Sequence, residues 1–271
     1  MEVKKMMLPK EEALKGVKMF VLDMDGTVYL SDTWIEGSKD FLQRIEDDPE
    51  RNYIFFTNNA SKVPSIYVEK LHNLGWDVDE SRIVTAGDVT AEFLKENYPN
   101  GRVLLNGTPL LEENWKEKGI NLVREDPDVC VQSFDTTMTY EKIDTLCAYV
   151  RKGVPLIATH MDTNCPLKDG EFMVDCGAMC SMITDSTGVT PRFFGKPWKE
   201  TVEMLTAITG YQPEEMAFVG DRLYTDVATG VNNGAKGFLV LTGEADMQTV
   251  AESDVEPTCI YESLGEMMKY L

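Results

Sequence analysis

Short, unbroken apolar runs alternate along the chain with stretches in which apolar positions recur every three or four residues. The run from Lys18 to Leu22 closes on an acidic, glycine-containing turn, and the run from Tyr53 to Phe56 closes on Thr57, Asn58 and Asn59. Continuous apolar runs of this length predict parallel strands buried on both faces. Between them, Phe41, Leu42 and Ile45 predict a helix over 39–46, and Ile66, Val68, Leu71 and Leu74 predict a second over 63–74, with Gly75 at its C-terminal end. Met216 to Val219 and Lys236 to Leu241 predict two further strands, preceded by a helix over 199–209 with Val202, Leu205 and Ile208 on one face. The segment after Gly220 and Asp221 reads as helical as far as Asn232.

Both ends of the chain therefore read as parts of one Rossmann-like parallel α/β sheet. The middle has strands of its own at 103–105, 129–131 and 156–158 and a helix over 142–150. It is expected to be an inserted second α/β domain over 84–188, the core being 1–83 plus 189–271.

Composition narrows the function. The chain carries 26 Lys and Arg against 46 Asp and Glu, a formal charge of −20, with only two histidines in 271 residues. Without a basic stripe, such a chain repels nucleic acid and anionic membrane surfaces, so neither is an expected partner. The first fifteen residues hold no apolar stretch of signal-peptide length, and no run approaches a membrane span. The expectation is a soluble, cytoplasmic protein. Six cysteines lie between residues 130 and 259 with no CxxC pair, which fits buried thiols in a reducing compartment; Cys176 and Cys180, four residues apart, could share a helix face.

In open α/β sheets, ligands sit beyond the carboxyl ends of the strands. Three such ends carry polar residues: Asp23, Asp25, Gly26 and Thr27 in DMDGT, Thr57-Asn58-Asn59, and Gly220 to Asp226 in GDRLYTD. A lone DxDGT could be a turn with capping acids. If the sheet is continuous, however, Asp23, Asp25, Asp221 and Asp226 share one crevice, where like charges need a cation. An all-oxygen donor set with few imidazoles selects a hard ion, Mg²⁺. Mg²⁺ among carboxylates recruits phosphate, for which Thr57, Asn58, Asn59 and Lys196 offer donors.

These motifs, in this order, resemble those of the haloacid dehalogenase-like phosphohydrolases. The chain looks closer still to their nitrophenyl-phosphatase, NagD-type branch, which carries an α/β cap. The resemblance implies that Asp23 is a nucleophile forming an aspartyl-phosphate and Asp25 the general acid and base. It implies a Mg²⁺ held by the Asp23 carboxylate, the Asp25 backbone carbonyl and Asp221, with Asp226 supporting the metal shell or Lys196. Thr57, Asn58 and Lys196 would hold the phosphoryl oxygens. The implied reaction is hydrolysis of a small phosphorylated metabolite, and a homodimer through the cap is open. A phosphotransferase or mutase, or a non-catalytic sugar-phosphate binder on the same scaffold, is the alternative. Where relatives with such a cap usually read ATNPD, this chain has Ala158, Thr159, His160, Met161 and Asp162. His160 and Met161 are therefore expected to lie on a loop facing the active site and to alter the leaving group accepted.

Other phosphate chemistries fail on pattern. Thr190 and Pro197 break a P-loop around Lys196, no cysteine is followed six residues later by arginine, and no GxGxxG follows the first strand. Because an anionic substrate approaches a chain of charge −20, raising ionic strength at fixed free Mg²⁺ should leave kcat/KM unchanged or raise it. Steady-state rates across a salt series check this, and a steep fall would contradict it.

Overall fold

The computed structural model describes residues 7–167 and 171–271. They form two compact units. The first draws on Met1–Phe56, Val68–Ile83 and Lys196–Leu271, and the second on Thr57–Tyr67 and Val84–Gly195. The second unit thus takes in 57–67 and 189–195 besides the expected insert. The 189–195 segment goes with it because Arg192–Phe193 pairs in parallel with Leu156–Ala158 in the second unit's own sheet.

In the first unit a six-stranded sheet runs in the order Cys259–Tyr261, Lys236–Val240, Met216–Gly220, Met19–Leu22, Asn52–Thr57, Ile83–Thr85. The registered pairs of the first five strands are parallel. All four residues of Met19–Leu22 are buried, as expected for a strand covered on both faces. That strand sits where the strand order reverses. Its Leu22 lies opposite Phe55 on one side and Val219 on the other, so the carboxyl ends of three strands meet at one level.

Helix Ser38–Glu46 buries Phe41, Leu42 and Ile45, the positions its spacing marked. Phe41 meets Phe20 of the first strand edge-on, with ring centroids 5.4 Å apart. Helix Lys199–Thr209 buries Val202 and Leu205 and ends at Gly210, whose φ of 76° is the left-handed conformation that closes helices. The segment after Asp221 departs from a simple helix. Leu223–Val227 is a single wide π turn that leads into the short helix Ala228–Asn232.

The second unit has a five-stranded parallel sheet in the order Arg192–Phe193, Leu156–Ala158, Val129–Gln132, Arg102–Asn106, Asn121–Leu122. Leu104, Cys130, Leu146, Cys147, Val150, Leu156 and Ile183 form a core cluster here, so two of the cysteines act as small apolar groups. Side chains start the helices as sequence chemistry requires. Thr85 and Asp88 form a reciprocal capping box for Ala86–Asn97, Thr108 caps Pro109–Glu117, Thr139 caps Tyr140–Arg151, and Asp175 caps Cys176–Thr187. An antiparallel hairpin of Asn164–Pro166 and Phe172–Val174 precedes that last helix. No helix among the described residues is long and apolar enough to cross a membrane.

Gly230 shows how tightly the first unit is packed. A Cβ at this helical position would overlap the backbone carbonyl of Lys236. Helix propensity alone favours Gly230→Ala by up to about 1 kcal/mol, whereas overpacking against rigid backbone costs about 1–3 kcal/mol. The variant is therefore expected to lose stability in urea denaturation; a gain would mean that the contact yields.

Candidate active site

Asp23 emerges from the central strand of the first unit, and its backbone N–H still bonds Val219 O at 2.9 Å. Its carboxylate meets a buried lysine. Lys196 Nζ donates to Asp23 Oδ1 at 2.6 Å, to Asp226 Oδ1 at 2.5 Å and to Phe56 O at 3.3 Å. The ammonium thus ties segments that follow two strands to the end of a third, Asn52–Thr57. Asp226 also accepts from Arg222 N at 3.1 Å through its second oxygen. The π turn carries Asp226 back toward the strand end from which its segment leaves, and Gly220 leaves room for it, since a Cβ there would overlap the Asp226 carboxyl group.

Asp221 completes the cluster. Its Oδ2 accepts from Glu244 N at 2.7 Å, while its buried Oδ1 has no hydrogen-bond partner among the described residues. Two further glycines shape this position. A Cβ at Gly26, where φ is 85°, would lie 2.5 Å from Asp221 Oδ2, and one at Gly243 would overlap the same carboxylate. Thr242 Oγ1 donates to Gly26 O at 2.6 Å, which joins the DMDGT turn to the 242–244 segment. Sequence reading passed over Thr242, Gly243 and Glu244. The available signal was their position beyond the apolar run 236–241, the same kind of strand end that drew attention to the other motifs.

Oxygen atoms of Asp23, Asp221 and Asp226 lie within 4.8 Å of one another. Three carboxylates gather near one ammonium, and the titration of Asp23 and Asp221 reflects that imbalance. Burial, then the charges of Asp226 and Asp221, push Asp23 well above the usual carboxylate range against the opposing pull of Lys196. Burial and Asp226 push Asp221 up to about 6, although Arg222 and the Glu244 N–H favour its charged form. Burial alone would lower Lys196, but Asp226 and Asp23 outweigh it and raise the lysine. An excess of buried negative charge, an unpartnered carboxylate oxygen and hard oxygen donors together suit a divalent cation.

Asp25 is placed differently. Its carboxylate is exposed and lies 3.8 Å from Lys70 Nζ, which itself sits 3.7 Å from the centroid of the Tyr29 ring. It is not among the carboxylates that converge on Lys196 and Asp221.

The remaining predicted residues belong to the second unit. Thr57 Oγ1 accepts from Asn59 N at 3.2 Å, and Asn59 Oδ1 accepts from Ser61 N at 3.1 Å and Ser61 Oγ at 2.6 Å. The Asn59 carbonyl oxygen is thus engaged in building the turn, as short polar side chains do, rather than displayed for a ligand. Asn58 Nδ2 donates to Asp162 Oδ2 at 3.3 Å, and both residues are buried. His160 lies on the loop after Leu156–Ala158, as expected, and is completely buried there. Its Nε2 is 2.8 Å from Asp175 Oδ1 and its Nδ1 3.0 Å from Thr159 Oγ1, contacts that hold the ring inside the unit. Met161 is partly buried.

Comparison with known proteins accords with this geometry. The family model for haloacid dehalogenase-like hydrolases matches residues 20–121, and a second HAD-hydrolase-like model matches 193–267. The chain is 32% identical over 263 residues to an acid sugar phosphatase of Staphylococcus aureus, spanning 95% of this chain and 99% of that one. It is 41% identical to 4-nitrophenylphosphatase from Thermotoga maritima, with a TM-score of 0.90 over 95% of this chain and 98% of that one. NagD from E. coli K-12 is 25% identical, with a TM-score of 0.84 over 92% and 98% of the two chains. The chain belongs to the haloacid dehalogenase-like hydrolase family, among its NagD-type phosphatases. Phosphatases of this family generally use a divalent metal, and among the described residues of the first unit the carboxylates of Asp23, Asp221 and Asp226 form a group that could hold one.

Asp221 sets the sign of a pH effect. Its folded-state pKa of about 6 exceeds the ordinary 3.8, so without metal its contribution to stability is present at low pH and is lost as pH rises through 6. A divalent cation binds the ionised carboxylates and so stabilises most above that range, by about 2.7 kcal/mol at a hundredfold excess over Kd. Thermal melts with and without the cation should therefore show a larger Tm increase near pH 7.5 than near pH 5. Equal increases would contradict the placement of the ion at Asp221.

Proposed function

We propose that this phosphatase hydrolyses small phosphomonoesters with Mg²⁺, through an aspartyl-phosphate formed on Asp23. The observation that carries the reading is the Asp23, Lys196, Asp226 and Asp221 cluster at the point where the strand order reverses. The names of the relatives support a sugar phosphate as the substrate class, with p-nitrophenyl phosphate as a generic one.

Asp23 is the nucleophile because its carboxylate stands at the strand end, desolvated yet paired with an ammonium. A carboxylate oxygen of Asp23 forms a bond to phosphorus as the bond from phosphorus to the leaving oxygen breaks. Asp25, whose carboxylate is exposed two residues along the same turn, gives its proton to the leaving oxygen. It then accepts a proton from the water that attacks the phosphorus of the aspartyl-phosphate, releasing phosphate and restoring Asp23. Mg²⁺ held by Asp23 and Asp221, with the Asp25 backbone carbonyl, would supply charge neutralisation to the phosphoryl oxygens. Asp226 keeps Lys196 in place rather than meeting the substrate.

Lys196 Nζ also bonds Phe56 O, so the chain delivers Thr57 and Asn58 immediately beyond a residue already anchored to the cluster. That connectivity supports a role for the Thr57 hydroxyl and the Asn58 amide in holding the phosphoryl oxygens, where charge stabilisation lowers the barrier most.

The decisive variant is Asp23→Asn, which is expected to lower p-nitrophenyl phosphate turnover by about a thousandfold or more, as removal of a nucleophile does. Mass spectrometry of rapidly quenched wild-type enzyme should show one added phosphoryl group that Asp23→Asn lacks. Wild-type turnover by the variant would rule out the covalent mechanism. Phosphate release from a panel of phosphorylated sugars then ranks the substrates.

A further inference from the structure

The second unit contains a buried charge network that the reaction outlined above does not use. His160, Asp162 and Asp175 are all buried, and their nitrogen and oxygen atoms lie within 4.8 Å of one another. We infer that His160 is a positioning residue, a buried imidazolium that with Asp175 fixes Asp162 and the 58–60 loop, and so orients the Asn58 amide. The inference rests on the reading of Asn58 as a ligand of the phosphoryl group.

The hydrogen bonds around His160 accommodate both ring nitrogens as donors. Ser133 Oγ lies 3.4 Å from Ala60 O, a carbonyl that can only accept, so the serine hydroxyl donates there. Thr159 Oγ1, 3.2 Å from Ser133 Oγ and 3.7 Å from Cys176 Sγ, has acceptors there for its one proton and so can accept from His160 Nδ1 at 3.0 Å. On the other side of the ring, Nε2 faces the Asp175 carboxylate at 2.8 Å and donates to it. One end of this chain of bonds is therefore a carboxylate and the other is the backbone of the loop that carries Asn58.

Asp175 is itself fixed. Its Oδ1 also accepts from Cys176 N at 2.6 Å, and it caps the helix Cys176–Thr187. The first turn of that helix holds the 161–162 backbone, since Gly177 N donates to Asp162 O at 2.7 Å. A side chain at Gly177 would overlap Met161 O, so the approach requires glycine. Asp162 then presents its carboxylate to Asn58 Nδ2 at 3.3 Å. Two carboxylates enclosed this close repel each other unless a positive group lies with them, and His160 is within 4.8 Å of both.

The groups facing the ring are consistent with this. Asp162 approaches from its own loop, Asp175 and Cys176 from the helix start, the Thr159 hydroxyl from its neighbour, and the Phe134 ring edge-on at 6.4 Å. Burial alone would lower the imidazole, but Cys176, Asp175 and Asp162 outweigh it and raise it to about 9.

The chain has only two histidines, and His72 is exposed on a helix of the first unit beside Asp77, so imidazole nitrogen NMR resolves them directly. His160 is expected to show two protonated nitrogens at neutral pH and to lose one only near pH 9, and Asp162→Asn should lower that midpoint. In kinetics, His160→Gln should raise KM for p-nitrophenyl phosphate and the inhibition constant of inorganic phosphate about tenfold, the effect of one misplaced hydrogen bond, with kcat changed far less. Asn58→Ala should produce the same change, and His160→Gln should add nothing further in the Asn58→Ala background. If His160→Gln does not fold, Asp162→Asn takes its place in the cycle.

A neutral His160 at pH 7, or penalties that add in full, would overturn the inference. A charged His160 combined with an Asn58→Ala enzyme of unchanged KM and phosphate inhibition would locate the failure in the phosphate role of Asn58, and the positioning role would fall with it.

Discussion

The Lys196 ammonium is the interaction on which the first unit's polar centre depends. Asp23 and Asp226 are carboxylates withdrawn from water, and each meets the same nitrogen at hydrogen-bond distance. Removing one partner of such a buried group leaves charge uncompensated and costs about 3–5 kcal/mol. The third bond, to Phe56 O, extends the constraint to the neighbouring strand. The glycines follow from the same requirement. Gly26, Gly220 and Gly243 lack side chains where Asp221 and Asp226 need space, so packing and electrostatics select the same positions.

The second unit solves a similar problem with different chemistry. Asp162 and Asp175 are buried there, and an imidazole rather than an ammonium lies between them. A ring with two nitrogens at opposite ends can bond a carboxylate on one side and a hydroxyl on the other, which a lysine cannot do. In both units a small group of enclosed acids gathers around one basic side chain, while Asp25 stays exposed. Asp88 and Asp135 are also buried, against Lys118 and Lys142, and the excess of acids on the surface favours solubility.

Much of the fold was legible because burial on both sheet faces leaves a plain mark in sequence. The runs at 18–22, 53–56, 216–219 and 236–241 became strands with ends shifted by one residue, and the helix over 199–209 has the expected bounds. What escaped were short edge strands such as Cys259–Tyr261 and Arg192–Phe193, whose two or three residues carry too little periodicity to read. The helix Ala86–Asn97 also passed unnoticed, although Thr85 and Asp88 mark its start, because its buried face is built largely from Ala, Gly and Thr.

Local chemistry in the chain determined the class of site: acids after two strands, a lysine before a helix, and too few histidines for a nitrogen-rich metal centre. Those features depend on residue type and on the strand ends, and both are written in the sequence. Only the tertiary structure decided which acids meet. It placed Asp226 on Lys196, left Asp25 exposed beside Lys70, and brought in Gly243 and Glu244 from a strand end that had drawn no attention. It also enclosed His160 within the second unit, opposite Asp175. The reason is physical: a buried charge is satisfied by whichever partner the packing brings within about 3 Å, and that distance is set by strand order and helix placement, not by separation along the chain.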